Sequence, residues 1–261
     1  MKPKPDPKPD PKPDPTPAVL VFAGLDPGGG AGLAADILAI AAQGAHPLPV
    51  ATALTAQDNE RVFGCAPVEG SAIAWQAEPL MRAFDIRAVK IGIPGNAANA
   101  AAIAGLILRL RERNPALPVV LDPVLSSGHG DALAQGDAAA ALRALLPLAT
   151  VALPNLPEAR ALGALPCEHV LVTGGHAQGD VVRNRWLRGG EEVRSWGWPR
   201  LAGGYHGSGC TLAAALAARL ALGDAMEAAL AHAQAYTYRA LAQSYALAPG
   251  QRIPRRILQS N

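Results

Sequence analysis

Aromatic residues make up only 4% of this chain, although half of its residues are apolar. The apolar excess is alanine and leucine, which suits many closely packed helices over a sheet and disfavours an all-β architecture. Cysteine is equally scarce. Cys65, Cys167 and Cys210 form an odd, widely spaced set without a CxxC pair, so neither a disulfide framework nor a zinc knuckle is expected, and a reducing compartment fits. No apolar run is long enough to span a bilayer: residues 19–25 are too short and follow a Lys/Pro/Asp repeat rather than a signal-peptide pattern. The expectation is a cytoplasmic protein that neither enters nor crosses a membrane.

Lysine is the most informative shortage. The formal net charge is +2, and Lys2, Lys4, Lys8 and Lys12 stand against Asp6, Asp10 and Asp14 in the first residues, which leaves +1 for the rest. Beyond that tail the only lysine is Lys90. No basic stripe remains to track a phosphodiester backbone, which excludes nucleic acid as a partner. Any phosphate chemistry must rest on arginine, backbone N–H groups and metal.

Residues 1–17 read as a disordered tail, because proline at nearly every second position blocks helix and sheet pairing. From residue 18 onwards the pattern implies one large domain. Short β-rich runs at 19–23, 50–54, 88–91, 118–121, 151–153 and 170–172 alternate with helical stretches at 33–42, 72–84, 97–113 and 138–145. Continuous apolar strands joined by helical crossovers imply a largely parallel sheet covered on both faces. Residues 181–187 and 192–198 flank Arg188-Gly189-Gly190 as an antiparallel hairpin, and helices over 210–222 and 225–245 close the chain. In such folds ligands sit beyond the carboxyl ends of the strands, and there this chain is rich in glycine, polar and acidic residues.

Several of these strand ends carry candidate chemistry. The glycine-rich turn at 24–32 lets backbone approach a ligand at a helix N-terminus, but it lacks the Gly-Lys-Ser/Thr of a Walker loop and misses the spacing of Gly-x-Gly-x-x-Gly. Asp36, one turn into the next helix, reads in isolation as a complement to the helix dipole. Gly207-Ser208-Gly209-Cys210-Thr211 opens a small-residue helix. Its N–H groups form an anion cradle, with Ser208 as N-cap. The dipole there is expected to lower the pKa of Cys210, fitting it to accept a hydroxyl proton; as a structural residue Cys210 would be a small buried hydrophobe. Asn155 and Glu158 lie one turn apart, either as a capping box or as a pair orienting water around Mg²⁺. Asp122 ends an apolar strand with a carboxylate. His46, His169 and His232 are scattered singly, and His129, His176 and His206 fall in loops, none at metal-ligand spacing.

Taken together, Gly24-x-Asp26-Pro27-x-Gly29-Gly30-Ala31-Gly32-x-x-Ala35-Asp36, Thr52-Ala53-Leu54-Thr55-Ala56-Gln57-Asp58, Lys90-Ile91-Gly92, Leu121-Asp122-Pro123-Val124, Pro154-Asn155-x-x-Glu158 and His206-Gly207-Ser208-Gly209-Cys210-Thr211 resemble the hydroxymethylpyrimidine/phosphomethylpyrimidine kinases of thiamine biosynthesis. The resemblance covers nearly all of the chain after the tail. It implies an α/β, three-layer ribokinase-like fold over residues 18–261, ATP and Mg²⁺ as cofactors, a small-molecule pyrimidine substrate phosphorylated twice, and a homodimer. It further implies that Gly24, Gln57 and Val124 contact the pyrimidine and that Asp36 lies at the substrate end of the first helix. Gly207, Ser208, Gly209 and Cys210 would form the anion hole, with Cys210 as proton acceptor. Asn155, Thr173 and Gly175 would face the nucleotide, and Asp122 and Glu158 the magnesium.

The chain departs from that pattern in three places. Thr173-Gly174-Gly175-His176 stands where the family shows Lys-Gly-Gly-His, Ser127-Gly128-His129-Gly130-Asp131 replaces Ala-Lys-Ser-Gly-Asp, and the stretch between Glu158 and His169 is shorter by about one helix. Arg183 and Arg185 are the candidate replacements for the missing cations. Two other functions compete: a pyridoxal or pyridoxine kinase, disfavoured by Gln57, and a pyrimidine-binding sensor that has lost phosphoryl transfer.

Overall fold

The computed structural model of the chain describes residues 16–127, 130–131 and 133–257. Most of the tail, and residues 128 and 129 of the divergent loop, lie outside the described residues.

The described chain forms a nine-stranded sheet between two helical layers. Strands β1 (Ala18–Leu25), β2 (His46–Gln57), β3 (Val62–Pro67), β4 (Ile86–Ile91), β5 (Val119–Leu121), β6 (Val151–Ala152), β7 (His169–Val172), β8 (Val181–Arg188) and β9 (Glu191–Pro199) run in the order β3-β2-β1-β4-β5-β6-β7-β8-β9. The central strands from β2 to β7 are parallel, and β3, β8 and β9 join antiparallel at the two edges. The sheet is therefore mostly parallel, as the continuous apolar runs imply.

Alternation along the strands decides which face each residue covers. Leu20, Phe22, Val89, Ile91, Val119 and Leu121 pack under α2 (Gly70–Ala83), α3 (Ala97–Arg113) and α4 (Ala138–Leu145). Their neighbours Val19, Val21, Ala88 and Val120 face α1 (Gly32–Ala42), α6 (Ser208–Ala221) and α7 (Met226–Ala242). Alanine dominates α6, where residues 211–218 are all buried, so this helix lies close against the sheet. Phe22 is fully buried, and a Phe→Ala change in such a core costs about 3–5 kcal/mol.

The helices of 97–113 and 138–145 have the bounds expected from their apolar spacing. Three features differ. β2 is 12 residues long and pairs with β3, which the sequence pattern does not suggest, because Gly64 and Pro67 interrupt it; an edge strand tolerates both residues. A short helix, α5 (Leu156–Leu162), follows Asn155. Ser208 is not the N-cap of α6: Gly207 takes that place in the left-handed region, at φ 76°, and no side chain caps the helix.

Candidate active site

β1 pairs with β2 on one side and with β4 on the other, so connections leave its carboxyl end in both directions and open a crevice there. A cavity of about 600 Å³ fills this crevice. Gly24, Gln57, Asp122, Val124, Asn155, Glu158, Thr173, Gly175 and the turn Gly207, Ser208, Gly209, Cys210 all line it. Residues up to 186 positions apart in sequence are thus gathered from five strand ends and one helix start.

The substrate-side residues are set by β1 and β2. A Cβ on Gly24 would stand 2.6 Å from Ile93 Cδ1, so only glycine leaves this backbone open to the cavity. Gln57 donates from Nε2 to Thr55 Oγ1 at 2.8 Å, and that hydroxyl donates to Leu25 O at 2.9 Å, which fixes the amide against the end of β1. Asp36 does not join them. It is completely buried on α1, with Oδ2 2.8 Å from Lys90 Nζ in a fully buried ion pair. The expected substrate contact at Asp36 is corrected accordingly, and so is its reading as a dipole complement. The side chain points inward, because burying Lys90 in an apolar strand requires an opposite charge.

Lys90 belongs to the motif Lys90-Ile91-Gly92, but the motif reading gives it no role at the site. It lies in β4, lines the cavity floor, and its charge acts on Cys210 and Asp122 as well as on Asp36. Burial works against its charge, but these three acids hold its pKa above the usual lysine value. A lone lysine inside the apolar run Ile86–Ile91 was the available signal.

The turn expected to form the anion cradle lies at the start of α6. A Cβ on Gly207 would collide with Gly30 O and stand 2.9 Å from Ala31 Cα, so the left-handed glycine lets the loops after β1 and before α6 touch. His206 reinforces that contact: its Nε2 is 2.9 Å from Asp26 Oδ2. Asp26 is buried, which opposes its charge, yet the bonds from His206, Ala31 N and Gly28 N together lower its pKa. The Cys210 thiol goes the other way. Burial pushes it up to about 12, and the charges of Asp36 and Asp122 add to this while Lys90 and the Gly32 N–H oppose it. The expected lowering by the helix dipole is therefore corrected, and Cys210 is a neutral thiol in the unliganded protein.

Across the cradle stand the acids. A Cβ on Gly209 would lie 3.6 Å from both carboxylate oxygens of Asp122. Burial raises Asp122 to about 6, against the pull of Lys90, and its Oδ2 is buried with no hydrogen-bond partner. Glu158 is raised to about 8, by burial first and then by Asp122. Glu158 also completes the capping box expected of it: Asn155 N donates to Glu158 Oε2 at 2.8 Å, and Glu158 N to Asn155 Oδ1 at 2.9 Å. Two mutually repelling carboxyls and an orphaned oxygen fit a divalent cation that brings most of its ligands as phosphate and water. The described residues hold no cluster of three or more metal-ligating side chains.

The residues expected to face the nucleotide lie in the loop after β7. Thr173 N donates to Pro154 O at 2.9 Å, and Gly174 N to Asn184 Oδ1 at 3.0 Å. Arg200 donates to the carbonyls of Gly175, Ala177 and Gly179. Arg183 and Arg185, the candidate replacement cations, do not line the cavity: Arg183 donates to Ser195 Oγ, and Arg185 pairs with Glu192. Arg61 does line it, on the β2–β3 turn, but is held by Asp131.

A three-layer α/β fold with an acid pair facing a helix-borne anion cradle is the arrangement of a small-molecule kinase. A family model described as phosphomethylpyrimidine kinase matches residues 26–254, and the chain belongs to that family. It is 36% identical to a hydroxymethylpyrimidine/phosphomethylpyrimidine kinase of Rhizobium meliloti, over 89% of this chain and 93% of that one. The homologue of the same name from Streptomyces coelicolor is also 36% identical, over 90% and 92%. Among solved structures, a phosphomethylpyrimidine kinase from Clostridium difficile superposes with a TM-score of 0.71 at 28% identity, covering 85% of this chain and 98% of that one. A pyridoxal kinase from Staphylococcus aureus, in complex with AMP-PCP and pyridoxal, reaches 0.80 at 25% identity, covering 94% of each. The ribokinase-like fold expected from the motifs is thus borne out. Among the described residues no helix is long and apolar enough to cross a membrane.

Proposed function

We propose that this chain transfers the γ-phosphate of ATP to the hydroxymethyl group of 4-amino-5-hydroxymethyl-2-methylpyrimidine, and then phosphorylates the resulting monophosphate to the pyrophosphate used in thiamine biosynthesis. The observation that carries this reading is the shared cavity, which Gln57, Gly24, the Gly207–Cys210 turn, Thr173 and Gly175 all line. The pyrimidine amine and ring nitrogen suit an amide, which both donates and accepts. The hydroxyl oxygen attacks the γ-phosphorus, the bond to the β–γ bridging oxygen breaks, and ADP leaves. The hydroxyl proton passes by way of the Cys210 thiol, which gives up its own, to the Asp122 carboxylate, the two groups acting on each other's pKa. Backbone N–H groups at the start of α6 take the charge that spreads over the equatorial oxygens.

Asp122 and Glu158 are the residues that would hold Mg²⁺, which neutralises phosphate charge when bound. A sensor without turnover has no use for these acids beside an anion cradle. The protein acts in the cytoplasm as a homodimer. Edge strand β3, with Phe63 72% exposed, offers a surface for the second copy, and sedimentation would check it.

Cys210→Ala tests the mechanism. Turnover should fall about 10²- to 10⁴-fold while calorimetry shows pyrimidine binding nearly unchanged. Near-wild-type turnover would reduce Cys210 to a packing residue.

A further inference from the structure

Arg256 is a buried cation for which the steps above have no use. It stands in the segment after α7, is 2% exposed, and reaches back beneath the first turn of α6. Tyr236 Oη donates to its carbonyl at 2.8 Å, which fixes that segment on α7. Its Nε donates to Thr211 Oγ1 at 2.9 Å, and its Nη2 to Gly30 O at 2.5 Å, with Gly207 O and His206 O at 3.4 and 3.5 Å. Every one of these acceptors is neutral. Among the described residues Arg256 forms no ion pair, whereas Lys90 has Asp36 at 2.8 Å and His206 has Asp26 at 2.9 Å.

Burying an ion without an acid bonded to it is expensive, and a fold that retains one has a reason at that place. The place is the rear of the anion cradle. A Cβ on Gly207 would stand 2.8 Å from Arg256 Nη2, so the guanidinium lies directly behind the left-handed turn whose front faces the cavity. The same fork ties Gly30, in the loop after β1, to Gly207 and Thr211 at the start of α6. A charge at the rear, bonded only to neutral acceptors and felt by Asp36 from beyond bonding distance, adds to the field of the helix terminus without occupying ligand space.

We infer that Arg256 is a positioning residue for phosphoryl transfer: it holds the Gly30 and Gly207 turns together and contributes its charge, through the backbone, to the transferring phosphoryl group. This rests on the reading that the Gly207–Cys210 turn receives that group.

The test is steady-state kinetics of the full-length protein and of Arg256→Met, Arg256→Lys and Arg256→Ala, with thermal melting and pyrimidine calorimetry alongside. Arg256→Met should lose about 10²-fold in kcat, the scale of a misplaced reacting group, with pyrimidine affinity little changed. Arg256→Lys should retain part of the rate, and added guanidinium ion should restore part of it to Arg256→Ala. Wild-type kcat in a folded Arg256→Met protein would overturn the inference while leaving the kinase reading intact. So would loss of kcat, pyrimidine affinity and melting temperature together in Arg256→Lys, with no response of Arg256→Ala to guanidinium, since that pattern belongs to packing. A wild-type chain with no turnover would remove the reading beneath it.

Discussion

Replacing Lys90 by methionine should destabilise the protein by about 3–5 kcal/mol, the cost of stranding one member of a buried ion pair. The size follows from the geometry: Nζ and Oδ2 are 2.8 Å apart, both side chains are fully buried, and Asp36 Oδ1 already lacks a partner. Without the ammonium, the carboxylate would lose its hydrogen-bonded partner and keep only the pull of Arg256 from beyond bonding distance. Burial already raises the Asp36 pKa against the pull of Lys90, so in the variant the group should take up a proton. The variant is therefore expected to be less unstable at pH 5 than at pH 8. At about 2–4 °C per kcal/mol for a chain of this size, the melting temperature should fall by roughly 6–20 °C. Urea titration of Lys90→Met, Asp36→Asn and the double variant measures the coupling directly. The double variant should be more stable than the two single losses predict, by about 0.5–3 kcal/mol. Strictly additive losses, or a single-variant melting temperature within a couple of degrees of wild type on the same scale, would refute the pairing.

The site supports further expectations. Gln57→Ala should weaken pyrimidine binding by about 1–3 kcal/mol and ATP binding far less; equal losses in calorimetry would indicate a folding defect. Thr173→Lys should strengthen binding of nucleotide or phosphorylated substrate more than of the free pyrimidine, with a benefit that shrinks as salt rises; kinetic constants at low and high ionic strength check it. Glu158 should make the metal-free protein less stable as pH rises. Burial and the neighbouring Asp122 push the Glu158 pKa up to about 8 from the ordinary glutamate value of 4.5, so between those values the native state binds more protons than the unfolded chain, and stability declines with pH. Denaturant midpoints from pH 5 to 9 should show this decline, and Glu158→Gln should flatten it.

The parts of this protein that could be read from its sequence are those fixed by local pattern. Ala97–Arg113 and Ala138–Leu145 fold as helices because their apolar spacing and side-chain caps, Asn96 and Asp137, agree. β3 escaped because an edge strand owes its form to its partner β2 rather than to its own composition. The glycine and acid motifs located the cavity walls correctly, since each follows a strand. The charges behind those walls were not legible. Lys90 and Asp36 are 54 positions apart, and Arg256 and Gly30 are 226 apart. The Cys210 thiol also runs contrary to its helix position, because the burial that dominates it depends on residues gathered from other strands.

The central claim is tested most directly by incubating the purified chain with ATP, Mg²⁺ and 4-amino-5-hydroxymethyl-2-methylpyrimidine, resolving monophosphate from pyrophosphate, with pyridoxal as the competing acceptor. Successive appearance of both pyrimidine products, with a higher kcat/KM for the pyrimidine than for pyridoxal, is the predicted result. Pyrimidine binding without any phosphorylated product, or preferential phosphorylation of pyridoxal, would contradict it.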